Sequence, residues 1–178
     1  MPTVARRATR DEFHVYGTTA ALTVSAGRNR AEEAVIFIDV ATACAPRNHD
    51  WANKICLMLT PDELPQSLAV ATGDLHLVRF AHHGPQKDKW AELHHQGTSL
   101  FIKIAQGKRV YAVPLSPTDT FKFAALLTAQ IRRNVPDAAQ ADVASLITMT
   151  VAKMQSASAP TRPAPSKIRQ RKSTDDHA

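Results

Sequence analysis

Apolar and polar residues alternate one by one through much of the chain up to Leu115, and that period of two is the signature of half-buried strands. Phe13 to Ala26 reads as one long strand ending at Gly27, with residues 28–33 as the turn out of it. Val35 to Ala43 sets Ile36, Ile38 and Val40 on one face and Val35, Phe37 and Asp39 on the other. Lys54 to Leu59 is the next strand. Thr60-Pro61-Asp62-Glu63 then predicts a helix start, with threonine as N-cap, proline at the first helical position and glutamate to close a capping box. That helix ends near Gly73. Leu75 to His82, Lys89 to His95, Ser99 to Ala105 and Lys108 to Leu115 follow as strands, punctuated by Gly84-Pro85, Gln96-Gly97 and Gln106-Gly107. Ser116-Pro117-Thr118-Asp119 opens a second helix that runs to about Asn134.

Three strands and a helix, then four strands and a helix, predict an α+β fold in which two packed antiparallel β-sheets have helices closing their ends. Pro136 stops the second helix, and the apolar residues of Asp137 to Gln155 allow a third that docks on the domain or on a neighbouring protomer. From Ser156 the chain is poor in apolar residues and rich in Ser, Pro, Lys and Arg, as disordered tails are. The expected organisation is a flexible basic N-terminus (1–12), a folded domain (13–135), an additional helix (136–155) and a basic tail (156–178).

With 178 residues, 44% of them hydrophobic, one core is expected. The formal charge of +6 suggests a polyanionic partner, yet residues 1–12 carry +1 of it and residues 156–178 carry +3. Only +2 remains for the folded part. Within it, Arg79, Lys87, Lys89, Lys103, Lys108 and Arg109 face only Asp88 and Glu92 between positions 79 and 109, a local +4 suited to tracking phosphates. Cys44 and Cys56 do not make a secreted disulfide framework and read as reduced, small hydrophobic residues. No run approaches the ~20 apolar residues of a membrane span, and the N-terminus lacks the apolar stretch of a signal peptide. A bacterial cytoplasm or nucleoid is the expected location, without a membrane partner.

Between the strands ending at Ala43 and beginning at Lys54 lies Arg47-Asn48-His49-Asp50-Trp51, a polar connection with an arginine and an indole. Here the sequence resembles the Whirly proteins, plant single-stranded DNA-binding proteins whose fold is shared with kinetoplastid guide-RNA-binding proteins and, more distantly, a transcriptional coactivator. Asp50-Trp51 followed by Lys54 matches the YDWxxK pattern of that family, with His49 in the tyrosine position, and Glu63-Leu64 falls in register with its glutamate and isoleucine. Val15 to Val24 aligns without a gap on VYKGKAALSV, and Val113-Pro114-Leu115-Ser116 leading into Phe121 to Ile131 resembles the last strand and terminal helix. Gly17-Thr18-Thr19 replaces the KGK, so two cations credited with nucleic-acid contact are missing.

The resemblance implies binding of single-stranded DNA by sheet faces and by the edges between protomers of a homotetramer. Candidate DNA contacts are Tyr16, Thr19, Phe37, Arg47, Trp51 and Lys54 in the first half, and Arg79, Lys89, Trp90, Phe101, Lys103, Lys108 and Arg109 in the second. Phe37 and Phe101 oppose the buried faces of their strands and are candidates for stacking on bases. The cations are expected to line one groove. Phe121, Phe123, Leu126, Leu127 and Ile131 cover enough of the second helix to suit the oligomer contact.

The pairs His82-His83 and His94-His95 raise the question of a metal. Adjacent strand residues point to opposite faces, so each pair offers one ligand per site, and no metal or other cofactor is expected. There is no glycine-rich phosphate loop, nucleophile elbow or nuclease-type acidic cluster, so a non-enzymatic role is expected. The expected function is largely sequence-independent single-stranded DNA binding in replication, repair or DNA transfer. The alternatives are an RNA-binding or annealing protein and an oligomeric transcription regulator.

Overall fold

The computed structural model describes residues 11–135, 142–148 and 151. The N-terminal ten residues, most of the expected third helix and the basic tail lie outside the described residues. The first sheet contains β1 (Glu12–Tyr16), β2 (Ala20–Arg28), β3 (Ala34–Ala45) and β5 (Ile55–Leu59), with the two-residue β4 (Asn48–His49) on the far end of β3. All its pairings are antiparallel, and β3 lies between β2 and β5. The second sheet is a four-stranded meander of β6 (Leu77–His83), β7 (Lys89–Gln96), β8 (Ser99–Gln106) and β9 (Arg109–Leu115). Helices α1 (Leu64–Thr72), α2 (Pro117–Asn134) and the short α3 (Val143–Ile147) complete it. The expected α+β architecture of two antiparallel sheets is therefore the one observed. No described helix is long and apolar enough to cross a membrane.

The inner faces of the two sheets supply one core. Leu22, Ile38 and Leu57 come from the first sheet, Leu93, Ile102 and Val113 from the second, and all are at most 1% exposed. Strand alternation explains which residues these are, because each lies two positions from the next inward-facing neighbour. The helices close the ends of this core. Ser116 caps α2 by accepting a hydrogen bond from the Asp119 amide at 3.1 Å, as its sequence suggested. Farther along α2, the buried Gln130 donates through Nε2 to the carbonyls of Gly27 (2.9 Å) and Val35 (2.6 Å). Asn134 completes the clamp by accepting from the Ala34 amide at 2.7 Å and donating to its carbonyl at 2.8 Å. Backbone groups where β2 turns into β3 are thereby satisfied as the helix covers them.

Four expectations need correction. The single strand over Phe13 to Ala26 is two strands, because Gly17-Thr18-Thr19 forms a hairpin in which the Gly17 amide donates to Ala20 at 2.9 Å. A side chain at Gly17 would start 2.9 Å from that same carbonyl. Helix α1 begins at Leu64 rather than Thr60: Glu63 accepts from the Thr60 amide at 2.8 Å, half of the expected capping box, but residues 61–63 form turns. Its end at Gly73 is as expected, in a left-handed conformation at φ 85°. Val35 shares a strand face with Phe37 but is fully buried. The fourth correction concerns α2, where Phe123, Leu126 and Leu127 are buried inside the protomer and so present no oligomer surface, while Ile131 packs partly buried against the same core. The apolar face was too wide for a surface helix because α2 packs on α1 and on both sheets. Phe121 alone of the set is strongly exposed, at 73%.

Two substitutions separate these roles. Leu127→Asp places an unpaired charge in the core and is expected to cost more than about 4 kcal/mol of folding stability. Phe121→Asp is expected to change stability by less than about 0.5 kcal/mol. Urea unfolding followed by circular dichroism measures both, and equal effects would refute this placement of α2.

Candidate nucleic-acid interface

Strand register lines up the outward residues of the first sheet in rows. Glu12, Ser25, Phe37 and Met58 form one, His14, Thr23, Asp39 and Cys56 the next, and Tyr16, Ala21 and Ala41 a third. His14 and Tyr16 thus share the outer face of β1, and Tyr16 is 67% exposed. Beyond Ala43 the chain reverses through Arg47, which takes a left-handed conformation at φ 62°, and β4 returns His49 opposite Ala43. Asp50 then accepts from the Asn53 amide at 3.2 Å and its side-chain nitrogen at 2.8 Å, closing the single 3-10 turn Trp51–Asn53.

These local turns bring four rings into a row. His14 and Tyr16 have centroids 6.2 Å apart, Tyr16 and His49 5.6 Å, and His49 and Trp51 6.3 Å. Beside the row opens a cleft of about 930 Å³, whose lining includes Tyr16, Gly17, Thr18, Cys44, Arg47 and His49. Lys54 lies on the same face and donates to Asp39, whose hydrogen bond and charge hold the ammonium pKa above its ordinary value. In the adjacent strand position, burial first and the neighbouring Asp39 carboxylate second push the Cys56 thiol up to about 11. Both cysteines are free, as expected, and each residue is exposed rather than part of the core, although the Cys56 sulfur is half-buried beside Asp39.

The outer face of the second sheet carries another set. Arg79, Glu92, Lys103 and Ala112 form one cross-strand row, and Leu77, His94, Phe101 and Pro114 the row beside it. The Arg79 guanidinium sits 4.2 Å from the centre of the Trp90 ring, a cation–π contact, and Lys103 pairs with Glu92 at 3.1 Å. Phe101 faces outward as its alternation required. Phe37 also faces outward, but its ring lies against Gly27, where a Cβ would be 2.6 Å from it, so much of that ring is spent on its own sheet.

The expected single groove of cations is not formed. Lys89 and Arg109 belong to the opposite strand parity from Arg79 and Lys103, and they stitch the two sheets together at their edge. Lys89 donates to the Cys56 carbonyl at 2.9 Å, and Arg109 to the Asn53 carbonyl at 2.9 Å and Gln106 Oε1 at 3.1 Å. Lys108 is exposed at the β8–β9 turn, and Thr19 sits in the β1–β2 hairpin, where its carbonyl accepts from the Ala43 amide at 2.9 Å. Sequence reasoning omitted His14 and His49 from the site. The signal for His14 was its spacing of two from Tyr16. For His49 it was the position of the family's tyrosine beside Trp51, although it joins the row only through the reversal at Arg47.

No protein-family model and no curated protein sequence matches the chain. Solved structures do. The plant transcriptional regulator PBF-2 superposes with a TM-score of 0.58 at 17% identity, over 72% of this chain and 84% of that one. WHY1 from Arabidopsis thaliana gives 0.58 at 16% identity, over 76% and 95%. Trypanosome MRP1/MRP2 gives 0.53 at 17% identity, over 75% and 92%. At this identity the likeness establishes the fold, which is Whirly-like.

The Asp39 neighbourhood has a chemical consequence. With its pKa near 11, only about one Cys56 in a thousand is thiolate at pH 8. In a Cys44→Ala background, Cys56 is therefore expected to alkylate at least about tenfold more slowly than an unstructured cysteine peptide, accelerating as pH rises toward 11. Asp39→Asn should speed the reaction. Iodoacetamide labelling followed by mass spectrometry decides, and peptide-like rates at pH 8 would contradict the described environment.

Proposed function

We propose that this protein binds single-stranded nucleic acid, DNA in the first instance, across the outer face of its first sheet. The carrying observation is the row His14, Tyr16, His49 and Trp51, with Tyr16 largely open to solvent. Aromatic rings in water are otherwise unfavourable, but they stack on bases of any identity and so bind without reading sequence. Ring spacings of 5.6–6.3 Å suit a stretched strand that offers one base per ring better than a duplex, whose bases stack about 3.4 Å apart and hide their faces. Arg47 and Lys54 flank the row and can contact phosphates, although Asp39 offsets part of the Lys54 charge. Trp90, Phe101, Arg79 and Lys103 form a second, more internally paired platform.

The likeness of fold to PBF-2, named as a plant transcriptional regulator, supports this reading at the level of the class of partner. Roles in replication, repair or DNA transfer, a bacterial cytoplasmic or nucleoid location, and assembly as a homotetramer are part of the proposal. Such an assembly would have to use Phe121 and surfaces other than the buried side of α2.

Fluorescence anisotropy with single-stranded DNA, matched RNA and duplex DNA at two salt concentrations tests the proposal. Single strands should bind tighter than duplex, with affinity falling as salt rises. Tyr16→Ala should cost about 1–3 kcal/mol of single-strand affinity while leaving folding stability nearly unchanged. Tighter binding of RNA than DNA would favour the RNA-binding alternative. Duplex preference, or a Tyr16→Ala variant that binds like the wild type, would overturn the stacking site.

A further inference from the structure

We propose that His76 and His94 chelate one divalent transition-metal ion of the zinc class through their Nε2 atoms, on the outer face of the second sheet. The two nitrogens lie 3.1 Å apart, with ring centroids separated by 4.7 Å and planes at 89°. Two imidazole nitrogens at that separation, each 2.0–2.1 Å from a zinc ion, would subtend about 98° at the metal, within reach of tetrahedral geometry. The rings meet edge-on at right angles rather than stacking, which keeps both Nε2 atoms at the contact. Both backbones are already held in place: His94 pairs with Leu77 and Phe101 across β6 and β8, and the His95 amide donates to the His76 carbonyl at 2.8 Å. No backbone rearrangement is needed to bring the ligands together.

Gln96 supplies the outer support that a metal-bound histidine requires. Its side-chain nitrogen lies 2.9 Å from His94 Nδ1. In the tautomer that lets the amide donate there, His94 carries its proton on Nε2, towards His76. On metal binding that proton moves to Nδ1, and the amide turns so that Oε1 accepts it, leaving both Nε2 lone pairs on the ion with no net proton change. No third histidine, cysteine or carboxylate completes a cluster among the described residues. The remaining positions are left to water or an exogenous donor, as in an open zinc site. The parity rule that argued against metal still holds within each adjacent pair, since His95 turns away to the Val70 carbonyl at 3.1 Å and His83 to Glu63 at 2.9 Å. The second ligand comes instead from His76, in the bend just before β6.

Isothermal titration of the full-length protein with zinc chloride tests this without nucleic acid, so its outcome is independent of the proposed function. One ion per protomer is expected. His76→Gln and His94→Gln should each abolish that binding, Gln96→Leu should weaken it by about tenfold or more, and His82→Gln should leave it intact. Long-range 1H–15N spectra of the wild type provide a readout that needs no variant: zinc should shift Nε2 of both His76 and His94. Absence of zinc binding by the wild type, unshifted His76 and His94 resonances, or unchanged binding by both glutamine variants would overturn the proposal.

Discussion

Two antiparallel sheets share a single apolar core, and this constraint organises everything else in the molecule. Each strand must give one face to that core, so alternate side chains are forced outward whatever their chemistry. The inward set is aliphatic and nearly fully buried. The outward set is where rings, histidines and paired charges gather. The ends of the sheets need separate closure, and α2 provides it through the amides of Gln130 and Asn134, whose bonds to Gly27, Ala34 and Val35 dock the helix against polar backbone without leaving that backbone unsatisfied.

The two outer faces differ in how much of their chemistry is already committed. On the second sheet, Arg79 covers Trp90 and Lys103 neutralises Glu92, while Lys89 and Arg109 are used to bind the sheets to each other. On the first, the aromatic row includes a strongly exposed tyrosine beside an open cleft. The formal charge of the folded part is small, so stacking rather than phosphate attraction has to supply much of any single-strand affinity.

Much of the architecture was legible because strand alternation and helix caps are local. Ile36, Ile38 and Val40 faced inward as read, and Phe101 and Lys103 faced outward between Leu100, Ile102 and Ile104. Gly73 ended α1 and Ser116 began α2 where the residue types required. Where sequence and structure part, the local pattern is at fault: the flanks of Gly17 alternate so well that the hairpin is invisible in them, and the apolar breadth of α2 is covered by α1 and the sheets of the same protomer and not by a partner molecule.

By itself the sequence determined most of the strands and their inward faces, the end of α1, the start of α2 and the placement of rings and cations on particular strand positions, because each depends on neighbours within a few residues. Only the tertiary structure decided which of those positions meet. Tyr16 and His49 stand 33 positions apart and become ring neighbours through a hairpin and a reversal, and His76 meets His94 across two strands. Arg109 and Lys89 are turned from candidate phosphate contacts into stitches between sheets. Such meetings depend on strand register and sheet packing, which arise from the whole core and leave no trace in the local spacing of the residues involved.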